Sequence, residues 1–188
     1  MADRSVRPWD VVESTTILKN PWLTVRRDLC RTSRAQVLDY YVVEKPDYCM
    51  VVAVTPARQV VLVREYKHGA REIVRQLPAG YIHPGEPPAE SAARELREET
   101  GFASPDLRYL GALHASPSAM QCRAHVFLAR DAKQRHEQDL DPAEQIAVEL
   151  MDLEELRRAV ARNEVLGDVS SVAALFMACT ALDSQEGR

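Results

Sequence analysis

Gly80-Tyr81-Ile82-His83-Pro84-Gly85-Glu86-Pro87-Pro88-Ala89-Glu90-Ser91-Ala92-Ala93-Arg94-Glu95-Leu96-Arg97-Glu98-Glu99-Thr100-Gly101-Phe102 occupies the middle of the chain, and its periodicity changes partway along. From Pro88 onward, Ala89, Ala92, Ala93 and Leu96 recur at helical spacing as one apolar stripe. Pro87 and Pro88 stand where a first turn tolerates a missing N–H, and Gly101 stands where a helix takes a left-handed stop. The spacing predicts a helix over 88–100. The face opposite the alanines carries Glu95, Glu98 and Glu99, three and four residues apart and therefore neighbours. Arg94, four before Glu98, offsets part of that charge, while Arg97 is expected to point elsewhere. A divalent cation would turn the repulsion into binding. Carboxylates on a rigid element are ligands that Mg²⁺ takes, with water and phosphate oxygens completing its shell. An acidic helix face alone is more often a solvated surface, so the flanking residues decide.

Upstream, the chain reads as strands from Pro8 to about Tyr66. Val37-Leu38-Asp39-Tyr40-Tyr41-Val42-Val43 is rich in β-branched and aromatic residues, and Leu23, Val25 and Arg27 hint at alternation. Met50 to Val54 and Val60 to Val63 are short apolar runs with little alternation, as in central strands buried on both faces. Thr55 to Gln59 supplies a turn, which predicts a hairpin. Downstream, strands are expected at Tyr109 to Leu113, His125 to Ala129 and Ile146 to Leu150, with a long loop from Arg130 to Glu144. Helices are expected from Leu153 to about Arg162 and from Val169 to Leu182, the second capped by Asp168. The polar Met1 to Pro8 is expected to fray.

The 188 residues fit one domain with room for a core, and 46% apolar with 28% charged residues is ordinary for a globular chain. A net charge of −4 with mixed signs offers no basic face, so nucleic acid is not an expected partner. No apolar run has the length of a bilayer span, so no membrane partner is expected either. Cys30, Cys49, Cys122 and Cys179 lie far apart without a C-x-x-C pair. They read as thiols of a reducing compartment, which makes the cytoplasm the expected location.

The stretch quoted at the start resembles the Nudix box, G-x₅-E-x₇-R-E-U-x-E-E-x-G-U, with U a bulky aliphatic residue. Gly80, Glu86, Arg94, Glu95, Glu98, Glu99 and Gly101 fill the fixed positions, Leu96 fills the first aliphatic slot, and Phe102 stands in the last. The resemblance implies an α/β fold, an α/β/α sandwich with a mixed β-sheet and an N-terminal antiparallel β-region. It divides the chain into a dimer-forming region over 1–45 and a hydrolase domain over 46–188. In that family the glutamates equivalent to Glu95, Glu98 and Glu99 hold the metal, joined by the backbone carbonyl here belonging to Ala79. Glu98, Glu99 and Arg94 then form the catalytic centre, with Gly80 and Glu86 supporting it and Glu86 holding Arg94 and the loop in place. The implied cofactor is Mg²⁺, with Mn²⁺ as a substitute.

Further resemblances point to the branch that splits ADP-ribose and nucleotide sugars. Gln76-Leu77-Pro78-Ala79-Gly80 is similar to that branch's L-P-A-G lead-in, and Val63-Arg64-Glu65-Tyr66-Lys67 to its R-Q-Y-R motif. This implies that Arg64 and Lys67 meet substrate, although Lys in the last place lacks the bidentate fork of Arg. Ala115-Ser116-Pro117-Ser118 resembles the S-P-G segment, making Pro117 a substrate-side residue. Ser118 replaces the usual glycine, and the acidic residue that commonly follows is missing. Asn20-Pro21-Trp22-Leu23-Thr24-Val25 and the segment from Gly167 to Leu175 also look like this branch. The branch implies a homodimer with an aromatic stacked on the base, for which Trp22 or Tyr48 is available; a core role is the competing reading. Glu144 lies where a loop glutamate often acts as general base, with Glu137 in reserve and a solvated loop carboxylate as the alternative. The expected activity is hydrolysis of ADP-ribose or a related nucleoside diphosphate sugar, a small nucleotide substrate, to nucleoside monophosphate and sugar phosphate. The alternatives are a hydrolase of dinucleoside polyphosphates or nucleoside triphosphates, and a non-catalytic ADP-ribose sensor.

Overall fold

The apolar run at 50–54 falls in and just past strand β4 (Tyr48–Ala53), where successive side chains face opposite ways. Met50, Val52 and Val54 join a buried cluster with Leu62, Val126, Leu156 and Leu175, while Cys49, Val51 and Ala53 join another with Ala92, Leu96 and Phe127. A strand buried on both faces requires cover on both. Helix α1 (Pro88–Thr100) contributes to the second cluster, and α2 (Leu153–Ala161) and α3 (Val169–Glu186) contribute to the first. This is the α/β/α sandwich that the resemblance implies.

The computed structural model describes residues 6–162 and 164–186, so residues 1–5 of the segment expected to fray lie outside the described residues. Contacts divide the chain into two units. The larger takes 47–113 with the described part of 123–188, and the smaller takes the described part of 1–46 together with 114–122.

In the larger unit β4 sits between β7 (Ala79–Tyr81) and β11 (Arg123–Arg130), with β9 (Asp106–His114) beyond β11. The β4–β11 pairing is parallel and the β4–β7 pairing antiparallel, so the sheet is mixed. A second sheet orders β13 (Ala147–Asp152), β5 (Gln59–Lys67) and β6 (Glu72–Gln76), all antiparallel. The short strands β8 (Phe102–Ala103) and β12 (Lys133–Gln134) form a third. The expected 50–63 hairpin is thereby corrected. The turn exists, closed by Thr55 N–H to Gln59 O at 2.8 Å, but the pairing there is an isolated Val54–Val60 bridge, and β4 and β5 then join different sheets. Each strand finds a better partner far along the chain, and a turn alone does not prevent that.

Helix α1 ends as predicted, with Gly101 left-handed at φ 73° and its N–H bonded to Arg97 O. Its buried face differs from the expected one. Ala89 and Ala93 are exposed, and the buried residues are Ser91, Ala92, Leu96, Glu99 and Thr100. The glutamates therefore do not all lie opposite the core: Glu99 is part of it.

In the smaller unit β1 (Asp10–Lys19), β2 (Thr24–Arg31) and β3 (Val37–Glu44) form an antiparallel meander, and β10 (Met120–Gln121) pairs with β3 in parallel. Its buried Asp28 accepts hydrogen bonds from Ser14 Oγ at 2.6 Å and Arg26 Nε at 2.9 Å. Every residue of β1 is exposed.

Candidate active site

A cavity of about 740 Å³ opens in the larger unit. Glu95, Glu98 and Glu99 enter it from α1, Lys67 and Glu65 from β5, Ala79 and Gly80 from β7, and Asp139, Asp141 and Glu144 from the loop before β13. Strands of two sheets line it, and the helix supplies an acidic wall. Gly80 stands so close to α1 that a Cβ there would fall on the Glu95 carboxylate. Any side chain at 80 would push the Glu95 carboxylate from this position.

Arg94 organises the helix wall. Its Nε donates to Glu86 Oε1 at 2.9 Å and its Nη2 to Glu86 Oε2 at 3.1 Å, a two-point pair. Its Nη1 reaches Glu95 Oε1 at 2.7 Å and Glu98 Oε2 at 3.0 Å, and Nη2 also meets Tyr81 O and Ser91 Oγ, both at 3.2 Å. Glu86 additionally accepts the His83 N–H at 3.0 Å, which fixes the loop ahead of the helix. The guanidinium holds Glu86 well below the carboxylate range, at about 2, and Glu86 in turn raises Arg94. Arg97 is corrected here: its Nη2 does not point elsewhere but donates to Glu98 Oε1 at 2.8 Å.

The other glutamates are shifted the opposite way. Burial pushes Glu95 up, despite Arg94, and the charges of Glu98 and Glu144 add to the rise. Burial pushes Glu99 up to about 8, and Glu95 reinforces it, although the Ala79 N–H donates to Glu99 Oε2 at 3.0 Å. Carboxylates crowded in a low-dielectric wall lack positive charge. A hard divalent cation supplies it, so by donor chemistry Glu95, Glu98 and Glu99 fit such an ion. In the present arrangement Glu95 Oε1 and both Glu98 oxygens are taken up by Arg94 and Arg97 and Glu99 Oε2 by the Ala79 N–H, and among the described residues no three ligating side chains are gathered as a metal cluster.

The remaining expected site residues divide. Lys67 lines the cavity, its Nζ 2.6 Å from Glu65 Oε2, and Glu144 lines it with a carboxylate that accepts the Asp141 N–H at 3.0 Å. Tyr48 lines it too, with its hydroxyl 2.8 Å from Ser170 Oγ. Arg64 does not. It pairs with Glu149 at 3.0 Å beside a separate groove, because three residues along a strand place Arg64 and Lys67 on opposite faces. Glu137 is exposed and does not line the cavity. Trp22 and Pro117 belong to the smaller unit. Trp22 is 73% exposed between β1 and β2, and Pro117 lies in a turn where Ala119 N–H reaches Ser116 O at 3.0 Å.

Sequence reading missed Glu65, Asp139, Asp141 and Asp168 on the cavity wall. Alternation along β5 would have found Glu65 from Lys67. Asp168 was read as a helix cap, and its Oδ1 does accept the Ser171 N–H at 2.8 Å; among the described residues its buried Oδ2 has no partner.

Known proteins resemble this chain over most of its length. Residues 45–169 match the NUDIX domain model, and residues 9–43 match the nucleoside diphosphate sugar hydrolase N-terminal domain. The chain is 32% identical over 125 residues to an ADP-ribose pyrophosphatase of Bacillus subtilis (strain 168), covering 66% of this chain and 68% of that protein. It is 27% identical over 168 residues to an ADP-ribose pyrophosphatase of Mycobacterium tuberculosis (strain ATCC 25618 / H37Rv), covering 86% and 79%. A crystal structure of an ADP compounds hydrolase superposes with a TM-score of 0.85 at 24% identity, over 97% of this chain and 98% of that one. That likeness establishes the fold.

Proposed function

We propose, from the fact that the chain belongs to the NUDIX family of hydrolases, that it hydrolyses the diphosphate bond of ADP-ribose or a related nucleoside diphosphate sugar. The observation that carries this is the cavity itself. Three carboxylates of α1, Lys67 and the loop carboxylate Glu144 line one space of about 740 Å³. That size suits a nucleotide sugar, since pockets for such ligands run roughly 300–1,000 Å³. The Bacillus and Mycobacterium relatives, both ADP-ribose pyrophosphatases, favour ADP-ribose.

Glu95, Glu98 and Glu99, with the Ala79 carbonyl, would hold the divalent ion, Mg²⁺ or Mn²⁺. Such an ion neutralises a diphosphate and makes an attacking water more acidic. The chain's own groups do the rest. Lys67 gives the diphosphate a cation, and Glu144 accepts the proton of the water that attacks phosphorus. Glu86 and Arg94 keep the helix wall in register, and Tyr48 offers its ring to the base. The products are a nucleoside monophosphate and a sugar phosphate.

The homodimer rests on the N-terminal family match and on β1, where Val11, Val12, Ile17 and Leu18 are all exposed. A cytoplasmic location rests on four buried cysteines with no disulfide among the described residues, and none of the described helices is long and apolar enough to cross a membrane.

The test follows phosphatase-sensitive product from ADP-ribose, GDP-mannose, UDP-glucose, a dinucleoside polyphosphate and dGTP, each with Mg²⁺ and with EDTA. Metal-dependent cleavage of ADP-ribose or a nucleotide sugar is expected. Cleavage confined to dGTP or the dinucleotide would overturn the substrate class. Tight ADP-ribose binding without turnover would make the protein a sensor.

A further inference from the structure

The loop over 135–146 brings Asp139, Asp141 and Glu144 to the cavity without a strand or helix of its own. Its order comes from the end of α1. The last turn of a helix leaves carbonyls without intrahelical partners, and this loop fills them. Asp139 N–H donates to Glu98 O at 2.9 Å, and the N–H groups of Arg135 and His136 donate to Gly101 O at 2.9 and 3.0 Å. Gln138 adds a side-chain link, its Nε2 donating to Glu99 O at 2.6 Å. The same nitrogen donates to Ile146 O at 3.2 Å, at the far end of the loop.

A primary amide carries two N–H groups, and here one serves each segment. The acidic loop is thus closed at its base by one side chain, and tied there to the carbonyl of a residue whose carboxylate faces the cavity. Within the closed segment the Glu144 carboxylate is fixed by the Asp141 N–H. The α1 glutamates on one side and Glu144 on the other are referenced to the same amide.

We infer that Gln138 is a positioning residue. By joining the Glu99 and Ile146 carbonyls it sets the distance from Glu144 to the glutamate wall, and so the rate of proton removal from the attacking water. This role rests on the proposed hydrolysis, with Glu144 as its base. An ionised glutamate at 138 has the same shape but no donor, and leucine has neither donor nor acceptor. Either substitution opens the loop while leaving both clusters of the core untouched.

The experiment measures ADP-ribose hydrolysis by wild type, Gln138→Leu, Gln138→Glu, Glu144→Gln and the Gln138→Leu/Glu144→Gln pair. Hydrogen exchange of the 137–146 segment is followed on the same proteins. In both Gln138 variants that segment exchanges faster while β4 and β5 stay protected. Their kcat falls about tenfold, within the roughly hundredfold that a misplacement of about 1 Å can cost, with KM changed less than threefold. In the Glu144→Gln background the added loss stays under twofold, because the group being positioned is already gone. Unchanged exchange, a wild-type kcat in the Gln138 variants, or losses that multiply in the double variant would each overturn the role. A Glu144→Gln protein with full activity would overturn it by a different route, removing the base rather than the clamp. Should wild type leave ADP-ribose uncut, the proposed function fails, and the exchange data still decide whether Gln138 closes the loop.

Discussion

Arg94 and Glu86 meet at two points, Nε to Oε1 at 2.9 Å and Nη2 to Oε2 at 3.1 Å, and so pin the loop ahead of α1 to the helix it precedes. The same guanidinium reaches Glu95 and Glu98, so a contact eight residues back along the chain fixes the carboxylates that face the cavity. Glu86 is 15% exposed, and a pair this sheltered and this well aligned is worth more than a surface ion pair. Glu86→Gln keeps the shape and loses the charge. It is expected to cost about 1–3 kcal/mol and to lower kcat through misplacement of Arg94. Urea unfolding of the two proteins measures the first effect.

The same pair predicts a pH dependence. Arg94 lowers the Glu86 carboxyl from 4.5 to about 2, so the folded state binds its proton less readily than the unfolded state. The stability gained is complete above pH 4.5 and is lost as pH falls through 2. The difference in stability between wild type and Glu86→Gln should therefore shrink across that window and stay flat above it. A constant difference from pH 6 to pH 2.5 would show that the pair contributes nothing electrostatic.

Much of this region is legible in sequence because its signals are local. Pro88 starts α1 and Gly101 stops it within one uninterrupted stretch, so the 3.6-residue period and the two ends support one another. The rotation of the helix is not legible. Ala89 and Ala93 are apolar, yet they face out, while Glu99 is 5% exposed because the Ala79 N–H of β7 awaits it. A tertiary partner overrode the hydrophobic pattern. The partners of β4 were equally hidden, since a buried run such as Met50 to Val54 states that it is buried without stating by what. Arg64 lies outside the cavity that Lys67 lines because the period of two separates members of one motif.

Metal dependence should appear in stability as well as in turnover. Glu95 and Glu99 are raised by burial, which marks a wall short of positive charge. A divalent ion at 100 times its dissociation constant would stabilise the fold by about 2.7 kcal/mol. Mg²⁺ is expected to raise the Tm of wild type and to leave that of Glu98→Gln almost unchanged. The same variant should lose roughly 100-fold or more in kcat, the scale on which a single electrostatic contact to the transition state acts. Equal Tm rises in both proteins would place the ion elsewhere.

Gly101 joins the helix end to the acidic loop. Its φ of 73° is a conformation that costs other residues about 1–2 kcal/mol, and an added Cβ would strike His136 O. Gly101→Ala should therefore destabilise by more than that conformational cost alone and also lower kcat, because the carbonyl receiving Arg135 and His136 N–H is displaced with it. A stability loss with kcat unchanged would separate the helix stop from the seating of the loop.

Lys67 and Arg64 test the alternation argument directly. Lys67 Nζ lies 2.6 Å from Glu65 Oε2 on the cavity face of β5, whereas Arg64 pairs with Glu149 on the other face. A diphosphate entering the cavity must draw the ammonium away from Glu65. Removing the cation and removing its competitor should thus have opposite signs. Lys67→Ala is expected to raise KM for ADP-ribose about tenfold, equivalent to about 1.4 kcal/mol of lost ionic contact. Glu65→Gln should lower KM two- to fivefold, since the free ammonium then meets phosphate without competition, a gain of roughly 0.4–1 kcal/mol. Arg64→Ala should leave KM within twofold and cost only about 0.2–1 kcal/mol of stability, as expected for an exposed ion pair. Steady-state kinetics on the three variants decide the matter. A rise in KM for Arg64→Ala as large as that for Lys67→Ala would mean that the substrate reaches both faces of β5, and the cavity would have to be redrawn.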